Sequence, residues 1–196
     1  MRNKLTVSEK NALRREAEAL HDADREYRRA SNFDFFALLL LVVIMAFAVR
    51  DFIIEPFRVD GISMFPTLIH NERMAVEKLS YTFREPKQGE IIVCYYPGYK
   101  ESCVKRVIAL PGDTIAVMDG AIYVNGILLD ESAYWDDTIY GGIPPHIVPE
   151  DHVFVVGDNR NNSSDSRNPD IGDIPFYKIE GRVVFVVWPF ATMRPL

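Results

Sequence analysis

Cysteine is scarce in this sequence. Cys94 and Cys103 are the only two among 196 residues, too few for a disulfide scaffold and without the spacing of a metal-ligand set. No Gly-rich phosphate loop, dinucleotide fingerprint or His-Glu-x-x-His occurs, so nucleotide binding and zinc-protease chemistry have no recognisable carrier. Positive charge is also short. Lys and Arg number 22 against 28 Asp and Glu, for a net charge of −6, which argues against nucleic acid as a partner. There is no internal repeat of solenoid or propeller length. Long apolar runs are nearly absent: a single stretch, residues 35–49, continues for fifteen residues without charge or strong polarity.

That run divides the chain. Residues 1–32 are dense in charge and read as a helical segment. Thr6 with Glu9 fits a capping box, and Leu13, Leu20 and Tyr27 recur every seven residues. Two heptads are too few for a coiled coil, so a solvated surface helix is expected. As a helix, residues 35–49 span roughly 22 Å, short of a ~30 Å hydrocarbon core. Phe33 and residues 52–54 extend the run, with Arg50 able to snorkel. Ala46–Phe47–Ala48 has the small-x-small look of a cleavage site, but the long acidic segment before it is unlike a short basic n-region. The expectation is an uncleaved transmembrane anchor at 33–54. Arg14, Arg15, Arg25, Arg28 and Arg29 precede it, whereas Arg50 and Arg58 follow it. The N-terminus is therefore expected in the cytoplasm and residues 55–196 outside the cell membrane, as a single-pass protein.

From Glu55 the pattern changes to short β-rich runs punctuated by Gly, Pro and Asp-Gly. Residues 73–79, 90–96, 102–109, 113–118, 121–124, 152–156 and 182–188 read as strands. Asp119–Gly120 and Asn125–Gly126 are hairpin turns. Many short strands with little helix predict a mainly β domain of antiparallel sheets around one core. Residues 131–150, rich in Gly, Pro, Asp and Tyr, read as an exposed loop or excursion. Pairing 96 with 101 across the turn at 97–100 sets Cys94 opposite Cys103. A disulfide and two small buried apolar residues are the competing readings there.

Three clusters carry chemistry. Ser63 stands alone among small and apolar residues at 61–68; a serine hydroxyl needs a neighbouring base before it is a useful nucleophile. Lys105 and Arg106 lie in a strand with apolar flanks on both faces, so one of the two meets the core. Water exclusion disfavours an ammonium relative to the amine, which suits a lysine used as a base and is wasteful for a decorative one. The third cluster, residues 157–167, is a loop dense in hydrogen-bonding side chains. Composition alone makes it a polar surface loop. Arg160 and Ser163 break a calcium-loop pattern there.

Together these clusters resemble bacterial type I signal peptidase (leader peptidase). The matching pieces are Glu55–Pro56–Phe57 leading to Ser63-Met64-x-Pro66-Thr67-Leu68, then Lys105-Arg106-Val107 through Leu110-Pro111-Gly112-Asp113, then Gly157-Asp158-Asn159-Arg160 through Asp165-Ser166-Arg167. Their order, and the apolar run before them, match as well. The short interval between the second and third clusters is similar to the compact Gram-positive form, whose second domain is small.

The resemblance implies that Ser63 is the nucleophile, Lys105 the general base, and Ser163 the hydroxyl that orients the lysine amine. It implies ion pairs Asp165–Arg167 and Asp158–Arg106, and a pocket for small side chains from Phe57, Val59, Met64, Leu68 and Val104. Gly61 stands where some members have a serine that helps stabilise the oxyanion; on that basis the position is sterically free and Gly61→Ser is expected to be tolerated. The implied activity is a membrane-anchored serine endopeptidase that removes signal peptides from exported preproteins after Ala-x-Ala, with no metal or organic cofactor. The implied partners are preproteins, the lipid bilayer and the export machinery. Phe52–Ile53–Ile54, Phe57, Trp188 and Phe190 suit a membrane interface. A Ser-His-Asp site using His70, His146 or His152 is the mechanistic rival, and a catalytically silent anchored β-domain that binds exported peptides is the rival from another class.

Overall fold

The computed structural model describes residues 14–15, 20–21, 25, 32–47 and 54–196. The chain divides into two compact units, Met1–Val49 and Arg50–Leu196. In the first, residues 32–47 form helix α1, its side chains exposed, and residues 14–15, 20–21 and 25 are also helical. Sixteen helical residues reach about 24 Å, less than a bilayer core. Among the described residues no helix is long and apolar enough to cross a membrane. Residues 48–53 of the expected anchor, and most of the expected N-terminal helix, lie outside the described residues. Ile54, expected to close the anchor, instead opens a β-strand.

The second unit is mainly β. Its strands are β1 (Ile54–Arg58), β2 (Arg73–Glu77), β3 (Ile91–Tyr95), β4 (Ser102–Ala109), β5 (Thr114–Met118), β6 (Ala121–Val124), β7 (Ile127–Leu128), β8 (Ile143–Ile147), β9 (His152–Val156), β10 (Ile174–Pro175), β11 (Ile179–Trp188) and β12 (Arg194–Pro195), with a short helix α2 (Ser80–Phe83). The larger sheet runs β1-β2-β11-β3-β4-β9-β10, with β12 added to β11, and the smaller runs β7-β6-β5-β8. Neighbouring strands are antiparallel throughout. The two Asx-Gly pairs make the tight turns expected of them. Asp119 and Gly120 have φ of 51° and 78°, and Asn125 and Gly126 have 54° and 77°, the left-handed pair that two-residue hairpins need.

Burial is divided among three clusters rather than one core. One lies between the small sheet and the ends of β4 and β9 and includes Ile108, Ile115, Ile122 and Phe154. Another joins Val59, Met64 and Leu68 to Met74, Val76, Val183 and Val186. The third gathers Ile92, Cys94, Val107, Val155 and Ile174. The strands alternate, so a sheet buried on both sides feeds two clusters at once. Each fully buried Val, Ile or Met contributes about 1.5–3 kcal/mol.

The excursion at 131–150 is mostly exposed, as its composition predicts, but it is pinned to the fold at a few points. Glu131, Ile139 and Val148 are buried, and Ile143–Ile147 pairs with β5. Single anchoring side chains separated by polar residues leave no periodicity to read.

Candidate active site

The turn carrying Ser63 is held at its base by Val59 N–H donating to Glu72 O at 2.8 Å and Asn71 N–H to Val59 O at 2.9 Å. Met64 and Leu68 face inward, 2% and 0% exposed, and Leu68 N–H closes back on Met64 O at 2.8 Å. Anchoring those two apolar side chains leaves Ser63 half-buried at the turn's upper surface. Gly61 has φ +99°, a conformation open to glycine and strained for L side chains. Space is not the constraint, since a Cβ at Gly61 would meet nothing within 4 Å. The position is sterically free, as expected, but the expectation that Gly61→Ser is tolerated is corrected, because the backbone conformation favours glycine.

Lys105 sits where β4 changes partners. β4 pairs with β3 from Ser102 to Arg106, but with β9 only from Arg106 onward. Residues 102–105 thus present one unpaired edge. Lys105 is 4% exposed, and its Nζ lies 2.9 Å from Ser63 Oγ and donates to Val104 O at 2.9 Å. No carboxylate bonds this nitrogen among the described residues.

The 157–167 loop locks these two segments together. Asn159 N–H donates to Ser63 O at 3.0 Å and its Nδ2 to Ile62 O at 3.1 Å. Arg106 makes two parallel bonds to Asp158, at 2.8 and 2.6 Å. Arg167 grips Asp165 in the same way, with both contacts at 2.8 Å, and Asp165 accepts from Gly157 N–H at 3.0 Å. Gly157 allows the loop to come this close. A Cβ there would stand 2.2 Å from Ser163 Oγ and 2.4 Å from Ser63 O.

Ser163 is placed differently from expectation. Lys105 Nζ bonds Ser63 and Val104, while Ser163 Oγ is buried and has no hydrogen-bond partner among the described residues. The Val104 carbonyl accepts the other hydrogen bond from this amine, and among the described residues no bond joins it to Ser163. Leu68 is the other displaced residue: it packs in the core and does not line the groove. Phe57, Val59, Met64 and Val104 do line it, with Met74, Tyr95, Cys103, Ser63 and Lys105, around a volume of about 560 Å³. One wall comes from β1 and the other from the free edge of β4.

Tyr134 and Glu131, in the excursion, support the site without any sequence signal. Tyr134 has two guanidiniums near its ring, with Arg106 4.2 Å and Arg160 5.3 Å from the centroid. Arg160 is fully buried and pairs with Glu131. Burial pushes the Glu131 carboxyl above its ordinary range, against the pull of Arg160, and burial likewise lowers Arg160. The histidines bond elsewhere. His146 meets Asp173 at 2.6 Å, His152 meets the Glu150 carbonyl at 2.7 Å, and His70 Nδ1 accepts from Gly61 N–H at 3.0 Å. Cys94 and Cys103 are free thiols, opposite one another across β3 and β4.

Comparison with known proteins follows the same lines. A family model described as signal peptidase, peptidase S26, matches residues 32–188. Signal peptidase I P of Bacillus subtilis subsp. natto is 41% identical over 155 residues, 74% of this chain and 84% of that one. Signal peptidase I of Leptolyngbya laminosa is 40% identical over 164 residues, 80% of this chain and 79% of that one. A crystal structure of a signal peptidase I from Enterococcus faecalis V583 aligns at TM-score 0.41 and 33% identity, covering 50% of this chain and 97% of that chain. On the family match and these relatives, the chain belongs to the signal peptidase family, peptidase S26.

Proposed function

We propose that the protein is a membrane-anchored serine endopeptidase that removes signal peptides from exported preproteins, with Ser63 as nucleophile and Lys105 as general base. The observation that carries the reading is the 2.9 Å contact between Lys105 Nζ and Ser63 Oγ, made by a lysine 4% exposed. In its neutral form the amine takes the serine proton as Oγ attacks the scissile carbonyl, then gives it to the leaving amine. The acyl-enzyme is resolved by a water that Lys105 deprotonates in turn. The Ser63 N–H, which donates to no other group among the described residues, stabilises the oxyanion.

The groove supports the choice of substrate. The unpaired edge of β4 at residues 102–105 offers backbone groups to an extended peptide. Phe57, Val59, Met64 and Val104 crowd the space beside Ser63, which favours small side chains before the cut, as in Ala-x-Ala. Membrane attachment draws support from the apolar sequence at 33–54. Exposed Ile62, Phe65 and Ile69 on the Ser63 turn, and Trp188 at the end of β11 with Phe190 just beyond it, suit an interface with lipid. A silent peptide-binding domain has no need of a buried lysine beside a serine.

The test is incubation of the full chain with a preprotein bearing an Ala-x-Ala site, followed by sequencing of the new N-terminus. Ser63→Ala and Lys105→Met should each abolish cleavage, and the double variant should be no worse than either. Near-normal turnover by Lys105→Met would refute the dyad.

A further inference from the structure

We propose that Cys94 and Cys103 form a redox modification site on the groove wall, oxidised to a cross-strand disulfide by the disulfide of a low-molecular-weight thiol. The two residues are register partners on β3 and β4, with Sγ atoms 3.3 Å apart and no bond between them. A bonded pair needs about 2.05 Å between sulfurs and about 3.5–4.5 Å between Cβ atoms. Directly opposed cross-strand residues already hold Cβ atoms about 4.5–5.5 Å apart. Closure therefore needs a small approach of two side chains on rigid strands. Neither thiol has a role in the reaction proposed above, so the pair is a feature that the peptidase reading leaves unused.

The two thiols differ in access, and this sets the order of events. Cys94 is 0% exposed in the core, whereas Cys103 is part-exposed and lines the groove. The hydrogen bond from Cys94 holds the Cys103 thiol below its ordinary range although burial opposes it, while the Cys103 contact and burial push Cys94 up. Cys103 is accordingly the attacking thiolate. It forms a bond to one sulfur of the incoming disulfide and displaces the other as a thiolate. Cys94 then gives up its proton to the small thiolate already displaced and attacks Cys103 Sγ, expelling the second thiolate. Two protein thiols and one small disulfide become one protein disulfide and two small thiols. Two electrons pass to the oxidant. The new bond ties β3 to β4 two residues from Lys105.

Oxidised glutathione is the probe. The full chain should lose two hydrogen atoms by mass and both alkylatable thiols, and dithiothreitol should restore them. Its thermal midpoint should rise by about 5 °C or more on oxidation. Cys94→Ser should stop at one glutathione attached to Cys103, and Cys103→Ser should acquire none. These readouts are independent of cleavage, so they stand or fall apart from the peptidase reading. Two thiols persisting in the parent protein after treatment would overturn the proposal, as would a Cys103→Ser chain glutathionylated while Cys94→Ser is not.

Discussion

The Arg106–Asp158 pair joins the strand carrying Lys105 to the loop that holds Ser63, and breaking it tests how that assembly is maintained. Asp158 has a fully buried side chain and that of Arg106 is 13% exposed. Their two bonds, at 2.8 and 2.6 Å, leave little water access. Removing one partner strands the other charge in the interior, which costs about 3–5 kcal/mol. With a urea slope of about 2 kcal/mol per molar, Arg106→Met or Asp158→Leu should lower the unfolding midpoint by about 2 M. Removing both partners leaves no stranded charge. The double variant should then recover at least about 2 kcal/mol relative to the sum of the singles. Recovery will be incomplete because Arg106 also donates to Gly89 O at 2.8 Å and covers the Tyr134 ring. Trp135 and Trp188 report unfolding by fluorescence. Cleavage should fall further than stability, because Asp158 adjoins the residue whose N–H holds Ser63 O, and a misplacement of about 1 Å costs about 100-fold. Strictly additive singles would refute the reasoning, since independent effects are what an uncoupled pair gives.

Gly61→Ser and Gly61→Ala should both lose about 1–2 kcal/mol of stability and lose turnover alike, because φ +99° strains either residue; a faster Gly61→Ser would restore the side-chain oxyanion explanation. Burial by itself raises the Glu72 carboxyl, but Arg194, bonded to it at 2.8 and 2.9 Å, brings the net shift below the ordinary value. A depressed carboxyl stabilises the fold above its unfolded pKa near 4.5 and loses that contribution as pH falls through the folded value. Arg194→Leu should thus be less stable than the parent at pH 7 and approach it below about pH 4, measured as urea midpoints; an equal gap at both would show that the pair does not contribute through charge. A chain lacking residues 1–50 should still sediment with vesicles through its exposed apolar side chains, and full recovery in the supernatant would contradict the lipid-facing reading.

Local chemistry determined much of this protein. Short runs rich in β-branched and apolar residues, bounded by Gly, Pro and Asx-Gly, placed the strands at 102–109, 121–124 and 152–156, and Asp119–Gly120 and Asn125–Gly126 made their turns because both need positive φ. The candidate residues Ser63 and Lys105 were legible as an isolated serine and as a charge in an apolar strand. What their neighbours would be was not. Forty-two residues separate that pair along the chain, and 122 separate Glu72 from Arg194, so strand order alone brings them together. The same holds for the finer assignments. The Val104 carbonyl accepts from the lysine amine, Leu68 turns into the core, and Glu131 buries itself against Arg160. Each outcome depends on which surface packs over which. That is a property of the closed structure, because a side chain's partners across a sheet are set by register and burial and leave no trace in local periodicity.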